Sequence, residues 1–483
     1  MTESNKKGPF TSSKDVPPDE RVPVKEKLAF ALGNVGGGIQ ERADMALFNP
    51  IFVLTCGLSP VVMSTAGLVF RAWDAVTDLT MGWLSDNTRS RWGRRKPYIF
   101  IGAILMGLAM PSLFFFDRDW SVGMITIWLF GMGLLAYTAL TVFNIPYQAL
   151  YMEMTPNAIE RTNVAAWRAY LGKSVDLVMV WMWWFVQLPL FNNALGETDV
   201  INGARWATSG LGIMVIALGL LPAFFIRERY YHTVEKMDKV GFWKNFKLTF
   251  QNKLFVLISV ITLIYGLGLN LKWGLDFYTK VFYVCGGDQQ LAAKINGVGG
   301  TINIFTSMAG IPLFQYIARI KGKRFSLALS IFIVCAASLS TFLFYTPAYP
   351  WLSLAPIMLL TPAATGMWVI IPSMVADIVD YDELKTNERR EGAFGAVFSW
   401  IIKFSWSIAF GISGPLVVWA GYNVDLHKEM VPDDILFNMR ILLAVLPFIV
   451  LAPAVFLAAR FPMTTEMFED IKQQLIERRG KIS

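Results

Sequence analysis

Residues 97–116 read PYIFIGAILMGLAMPSLFFF, twenty positions without one Asp, Glu, Lys or Arg. As an α-helix such a run rises about 1.5 Å per residue and reaches about 30 Å, the thickness of a bilayer's hydrocarbon core. Runs of the same kind recur at 210–226 (GLGIMVIALGLLPAFFI) and 325–344 (FSLALSIFIVCAASLSTFLF). Softer stretches, interrupted by glycine or a charge, belong to the same series, because neighbouring helices satisfy their polar groups. Reading outward from residue 97 gives about twelve spans, beginning near residues 28, 60, 97, 121, 162, 206, 254, 289, 325, 351, 391 and 436. Composition agrees: 54% hydrophobic and 16% charged residues, with mean hydropathy +0.46, place the 483-residue chain outside the range of soluble domains.

The decapeptide just before this run, NTRSRWGRRK, holds Arg89, Arg91, Arg94, Arg95 and Lys96, and the loop after the eighth span holds Arg319, Lys321, Lys323 and Arg324. The positive-inside rule puts both loops in the cytoplasm. The opposite loops, around Asp117, Glu197, Asp199 and Asp425, carry only scattered cations such as Arg118, Arg205, His427 and Lys428. An even number of spans then leaves both termini cytoplasmic, in a cell inner membrane. The same topology accounts for the net charge of +7 without nucleic-acid binding.

Residues 1–27 read as a polar cytoplasmic tail with no signal peptide. Two six-helix halves follow at 28–226 and 253–460, joined by an amphipathic linker at 227–252 in which Lys236, Lys239, Lys244 and Lys247 alternate with Trp243 and Phe246. Residues 461–483 form a cytoplasmic C-terminal tail. The two basic loops fall at equivalent places in the halves, as expected of a repeat-built transporter. Cys56, Cys285 and Cys335 show neither CxxC spacing nor pairing with His232 and His427, so no disulfide framework or zinc site is expected. No nucleophile–base set or phosphate-binding loop argues for an enzyme; GNVGGG at 33–38 lies in a span, where packing or flexibility explains it.

Ionised side chains inside apolar spans cost at least about 2.5 kcal/mol each, so they mark function. FRAWDAVTD in the second span sets Arg71, Asp74 and Asp78 at spacings of three and four. The two carboxylates share a helix face about 6 Å apart in rise. Such a pair holds one cation or one proton, while a structural pairing of Arg71 with Asp74 leaves Asp78 to find its partner elsewhere. In the fourth span Pro146 follows Asn144, and a local break is expected to free carbonyls near Thr141 and Asn144 for a cation. In the fifth, Lys173 and Asp176 pair at three residues, whereas Arg168 has no acid within a turn and is the better ligand residue. Lys272, Asp276 and Lys280 in the seventh span suit internal pairing and substrate contact equally. Lys403 in the eleventh is set among aromatics and aliphatics. In GWLSDNTRSRWGRRK, Gly82 stands four residues before Asp86, and Gly93 precedes Arg94 and Arg95. This resembles a drawn-out major facilitator loop signature, and it makes Asp86, Arg94 and Arg95 gating residues that lock and release helix ends.

RAWDAVTD followed by MGWLSDNTRSRWGRRKPY, then NIPYQALYMEMTPNAIERTN, and finally MVADIVDYDELKTNERREGAFGAVFSWIIK, closely resemble in order the glycoside–pentoside–hexuronide:cation symporters, the melibiose permease group of the major facilitator superfamily. The resemblance covers nearly the whole chain. It implies an all-α membrane protein with the twelve-helix major facilitator fold in two pseudo-symmetric halves, alternating access, a Na⁺, Li⁺ or H⁺ site in the N-terminal half and a sugar site between halves. Carried over by motif, Asp74, Asp78 and Thr141 are cation-site residues, with Asn144 beside them. Arg168, Trp368, Ser399 and Lys403 line or support the sugar cavity, and Asn34, Tyr147 and Gln148 complete the substrate set.

The chain departs from melibiose permease at three of these positions. A fourth-helix acid is Asn144, a tryptophan four residues on is Gln148, and the first-helix galactoside-binding acid aligns with Gly38, although Asn34, Gln40, Glu41 and Asp44 lie within about two turns. Loss of two anionic positions, with Arg168 and Lys403 retained, favours an acidic sugar such as a uronide. One carboxylate fewer also favours H⁺ as coupling ion, with Na⁺ the alternative. The expected protein is a monomeric secondary sugar:cation symporter without cofactor. A lysolipid transporter on the same fold and a non-transporting sensor are the rivals, the first opposed by the polar Asn34, Asn144, Gln148, Arg168 and Lys403.

Overall fold

The computed structural model describes residues 21–155, 157–193, 196–228, 249–386, 390–424, 431–463 and 465–479. Most of the expected N-terminal tail and of the linker, with Lys236, Lys239, Trp243, Lys244, Phe246 and Lys247, lies outside them, as do His232, Asp425, His427 and Lys428. The described residues form helices and no strands: α1 (Val24–Phe48), α2 (Pro60–Asn87), α3 (Lys96–Ser112), α4 (Val122–Met154), α5 (Ala158–Met179), α6 (Val200–Phe225), α7 (Lys253–Tyr278), α8 (Gln289–Lys321), α9 (Lys323–Phe344), α10 (Ala355–Thr386), α11 (Glu391–Trp419), α12 (Asp433–Ala459) and α13 (Thr465–Arg479). A helix stands at every expected span. Eight, α4 and α6 to α12, are long and apolar enough to cross a membrane, and α3 is a shorter apolar helix. The other three of the first twelve, α1, α2 and α5, are those that carry Glu41, Arg42, Asp44, Arg71, Asp74, Asp78, Arg168, Lys173 and Asp176.

Helix starts follow local chemistry. Ser121, Asp199, Asn252 and Asp288 each cap a helix by accepting a backbone N–H two or three residues on. Gly322, with φ +87°, is the single residue between α8 and α9, a left-handed turn that a side chain would strain.

The chain divides into two compact units, residues 1–58 with 69–238, and residues 59–68 with 239–483. In the first, α3 packs on α6 and α4, and α1 packs on α6 and α5. In the second, α9 packs on α12 and α10, and α7 packs on α12 and α11. Each pairing recurs six helices later. α1 and α7 moreover both end in a wide π-type turn, Asn49–Thr55 and Thr279–Val284, closed by Cys56-Gly57 and Cys285-Gly286 with both glycines at positive φ. The internal repeat that residue identity hides is therefore plain in the packing.

Apolar burial drives helices together weakly when the solvent is lipid, so contact depends on close approach of small residues. Gly107 on α3 and Gly212 on α6 meet backbone to backbone: a Cβ on Gly107 would stand 2.4 Å from the Gly212 carbonyl oxygen. Gly36, within GNVGGG, lies against Gly219 and Val215 of α6 in the same way, so packing is what those glycines serve. In the second unit Phe255, Tyr265, Ile331, Leu360 and Met367 form one core from α7, α9 and α10. The first turns of α2 join that unit through Ser64, whose hydroxyl accepts the Gly414 N–H at 2.6 Å.

Replacing Gly212 by valine should lower the thermal midpoint of the detergent-purified protein, since overpacking costs about 1–3 kcal/mol even where neighbours can shift and here the obstacle is backbone. An unchanged midpoint would refute the close approach of α3 and α6.

Candidate functional site

Asp74, 8% exposed, and Asp78, half-buried, lie one turn apart on α2. Opposite, on α4, the buried Thr141 hydroxyl donates to Asp74 Oδ1 at 3.1 Å and stands 3.2 Å from that of Thr77. Trp73 Nε1 donates to Thr138 at 2.8 Å, pinning the same two helices together. Asn144, one turn beyond Thr141, points its amide oxygen at α1, 3.0 Å from where a Cβ on Gly37 would be. Asp74, Thr77 and Thr141 thus bring side-chain oxygens together from α2 and α4, with Asp78 and Asn144 each one turn further on.

The expected break in this fourth span does not occur: α4 runs from Val122 to Met154 through Pro146. A proline removes one N–H, here the one that would reach the carbonyl of Val142, and packing on both sides holds the remaining turns. The carbonyls near Thr141 and Asn144 are therefore not freed, and the oxygens that meet Asp74 here are those of side chains.

Arg71 reaches across to α1, where it pairs with Glu41 at 3.3 Å and lies 5.8 Å from the Tyr137 ring centre. Farther along α1, Asn34 Oδ1 accepts from Arg168 Nε of α5 at 2.8 Å. Two turns on, Arg42 Nε donates to Asp176, which also pairs with Lys173 at 3.0 Å. Arg42 Nη1 donates to the Gly38 carbonyl at 3.2 Å, and a Cβ on Gly38 would come within 2.7 Å of it. The guanidinium of Arg42 therefore covers the position where melibiose-type relatives carry an acid. Arg42 was missed from sequence; its spacing of four from Gly38 was the available signal. Gln148 is exposed. Tyr147, in contrast, is 1% exposed, stacked between Phe30 and Phe143, with its hydroxyl donating to the Phe30 carbonyl. Core packing occupies that side chain, which corrects its assignment to a substrate.

In the second unit Lys272 and Lys280 pair with Asp276 at 3.7 and 2.8 Å, and Tyr345 donates to the same carboxylate. All four are buried, so internal pairing is the role of this group. Trp368 meets Tyr265 edge-on at 6.3 Å, Ser399 is exposed and Lys403 half-buried.

At the basic loop, Arg94 and Arg95 both reach Glu153 at the end of α4, at 2.5 and 3.3 Å. Arg95 also pairs with Asp86 and donates to Ser85 at 2.6 Å. Glu228, just past α6, accepts backbone N–H groups of Arg94, Arg95 and Lys96 at 2.8, 2.9 and 3.2 Å, capping α3 with a carboxylate where the helix dipole is positive. Glu153 and Glu228 were missed from sequence, although each is an acid just inside or past a helix end. The second unit repeats the device with Lys323–Asp377 at 2.6 Å and Arg390–Asp382 at 2.6 Å.

Residues 29–465 match the model of a family described as MFS/sugar transport protein. "Putative glycoside/cation symporter YagG" of Escherichia coli strain K12 is 28% identical, over 95% of this chain and 96% of its own. "Sodium-dependent lysophosphatidylcholine symporter 1-A" of Danio rerio is 24% identical, over 94% of this chain and 88% of its own. A solved bacterial homolog of the human lysosomal transporter Spinster superposes with TM-score 0.67 at 14% identity, over 92% of this chain and 97% of that one, a likeness of fold.

Replacing Glu153 by alanine leaves two guanidinium groups, each about a tenth exposed or less, without their shared carboxylate. Removing one partner of a buried pair costs about 3–5 kcal/mol. Thermal unfolding of Glu153→Ala should therefore fall below that of the exposed-residue control Gln148→Ala, and equal midpoints would show that Glu153 is not the anchor.

Proposed function

The chain belongs to the MFS/sugar transport protein family and is a multi-pass membrane transporter, not an enzyme; from that premise we propose that it is a secondary sugar:cation symporter working by alternating access in a cell inner membrane, with both termini cytoplasmic. The observation that carries the reading is the Asp74–Asp78 pair on α2 with Thr141 donating to Asp74 from α4. Two carboxylates in hydrocarbon hold either a proton or a Na⁺, whose charge makes their burial tolerable. Thr141 supplies a neutral oxygen beside Asp74, and Asn144, one turn on, carries the next, as a hard cation requires.

The substrate residues we propose are Asn34, Gln148 and Arg168 in the first unit and, in the second, Trp368, Ser399 and Lys403. Arg42 adds a second guanidinium on α1. Arg168 offers a planar donor fork suited to a sugar carboxylate, and Gly38 with Arg42 beside it withdraws the acid that would repel one. A hexuronide or other acidic glycoside fits this set better than a neutral galactoside. The relative named for lysophosphatidylcholine supports a second reading, lysolipid transport on the same fold; the charged α1–α5 face opposes it.

Labelled glucuronide and a neutral pentoside, offered to proteoliposomes under an imposed proton gradient and then a sodium gradient, test the proposal. Glucuronide uptake driven by either gradient and not competed by lysophosphatidylcholine is the expected result; lysolipid uptake without sugar uptake would overturn it. Asp74→Asn should abolish gradient-driven accumulation. Arg168→Ala should raise KM for glucuronide roughly ten- to a hundredfold, the value of one hydrogen bond to a charged group at about 1.5–3 kcal/mol, and leave KM for the pentoside nearly unchanged. Equal effects on both sugars would remove Arg168 from carboxylate recognition.

A further inference from the structure

Gln40 and Asp44 lie one turn apart on α1, at 0% and 2% exposure. Gln40 Nε2 donates to the Ala136 carbonyl of α4 at 2.8 Å, and that carbonyl fixes the amide's orientation, since a reversed amide would set two acceptors against each other. Its Oε1 then accepts no hydrogen bond, and neither does Asp44 Oδ1. A buried acceptor left in this condition costs about 1–3 kcal/mol, and here two stand on neighbouring turns of one helix.

The groups that face Asp44 carry the argument further. They are Glu41 from its own helix, Arg71 from α2 and Tyr137 from α4. Arg71 is engaged with Glu41 at 3.3 Å and also faces Asp74 on its own helix, so one guanidinium stands against three carboxylates and cannot compensate them all. An ionised Asp44 would leave a negative charge enclosed in the membrane interior, which apolar surroundings penalise heavily. Neither orphan oxygen can relieve the other, because neither bears a hydrogen. A single proton relieves both: placed on Asp44 Oδ1 it removes the charge and turns that oxygen into a donor, with Gln40 Oε1 as the acceptor one turn away.

We propose that Asp44 is a protonation site separate from the Asp74–Asp78 pair, carrying its proton on Oδ1 toward Gln40. That this proton is exchanged during the transport cycle rests on the symporter reading; that it is bound does not. Whichever ion drives uptake, a site of this kind makes transport depend on pH.

Infrared difference titration of the purified full chain, between about pH 5 and about pH 9, reads the carbonyl stretch of protonated carboxyls directly. Near neutral pH the unmodified protein should show such a band, sensitive to deuterium exchange. Asp44→Asn should delete it, whereas Asp74→Asn should retain it. Gln40→Leu, which removes the acceptor and keeps the carboxyl, should move the band to higher frequency; this second variant keeps the test decisive if Asp44→Asn fails to fold. A band unaltered by both substitutions would overturn the proposal. A band deleted by Asp44→Asn in a protein with no gradient-driven sugar uptake would retain the proton site and refute the symporter reading, while uptake with an unaltered band would do the reverse.

Discussion

An ionised side chain surrounded by hydrocarbon persists only where a partner of opposite charge or several dipoles meet it, and in this protein that requirement arranges the polar helices around α1. α1 supplies Lys27 to Glu160 of α5 at 2.7 Å, Asn34 to Arg168, Glu41 to Arg71 of α2 and Arg42 to Asp176. The three helices too polar to qualify as spans on hydropathy are thus the three that complete one another. Their polarity is tolerable because it is shared.

The corresponding charges of the second unit are handled differently. On α7, Asp276 collects Lys272, Lys280 and the Tyr345 hydroxyl within a single buried knot. Such a group has its donors and acceptors matched from within, which suits a fixed structural role. The first unit instead holds acceptors such as Asp44 Oδ1 and Gln40 Oε1 that no described donor satisfies. Units built from equivalent helix pairs thus differ in how they treat charge, the second matching that of α7 within one knot.

At the basic-loop ends the same electrostatics operates on helix termini. Glu228 closes the N-terminus of α3 through three backbone donors, while Glu153 draws Arg94 and Arg95 of the loop toward α4. Lys323 with Asp377, and Arg390 with Asp382, form the counterpart in the second unit. Acids at one helix end holding cations at another are the kind of contact that can be broken and remade as helices move, which gives Asp86, Arg94 and Arg95 their place in gating under the symporter proposal.

Hydropathy is a property of consecutive residues, so the amino-acid order alone announced where the long helices stand to within several positions, the π-ended α1 and α7 included. Pairs within one turn were equally legible, because 3.6-residue periodicity places them: Asp74 with Asp78, Lys173 with Asp176, Lys272 with Asp276 and Lys280. Ordered family blocks told the rest of the broad function. Partners on different helices were not legible. Glu41 for Arg71, Asp176 for Arg42, Glu153 and Glu228 for the loop arginines, and the burial of Tyr147 against Phe30 all depend on which helix faces which, and at what rotation. That choice is made where glycines such as Gly107 and Gly212 allow backbones to touch, a contact between residues about a hundred positions apart that no local period encodes. Pro146 teaches the same lesson in reverse: the local rule called for a break, and the packing of α4 among its neighbours kept the helix whole.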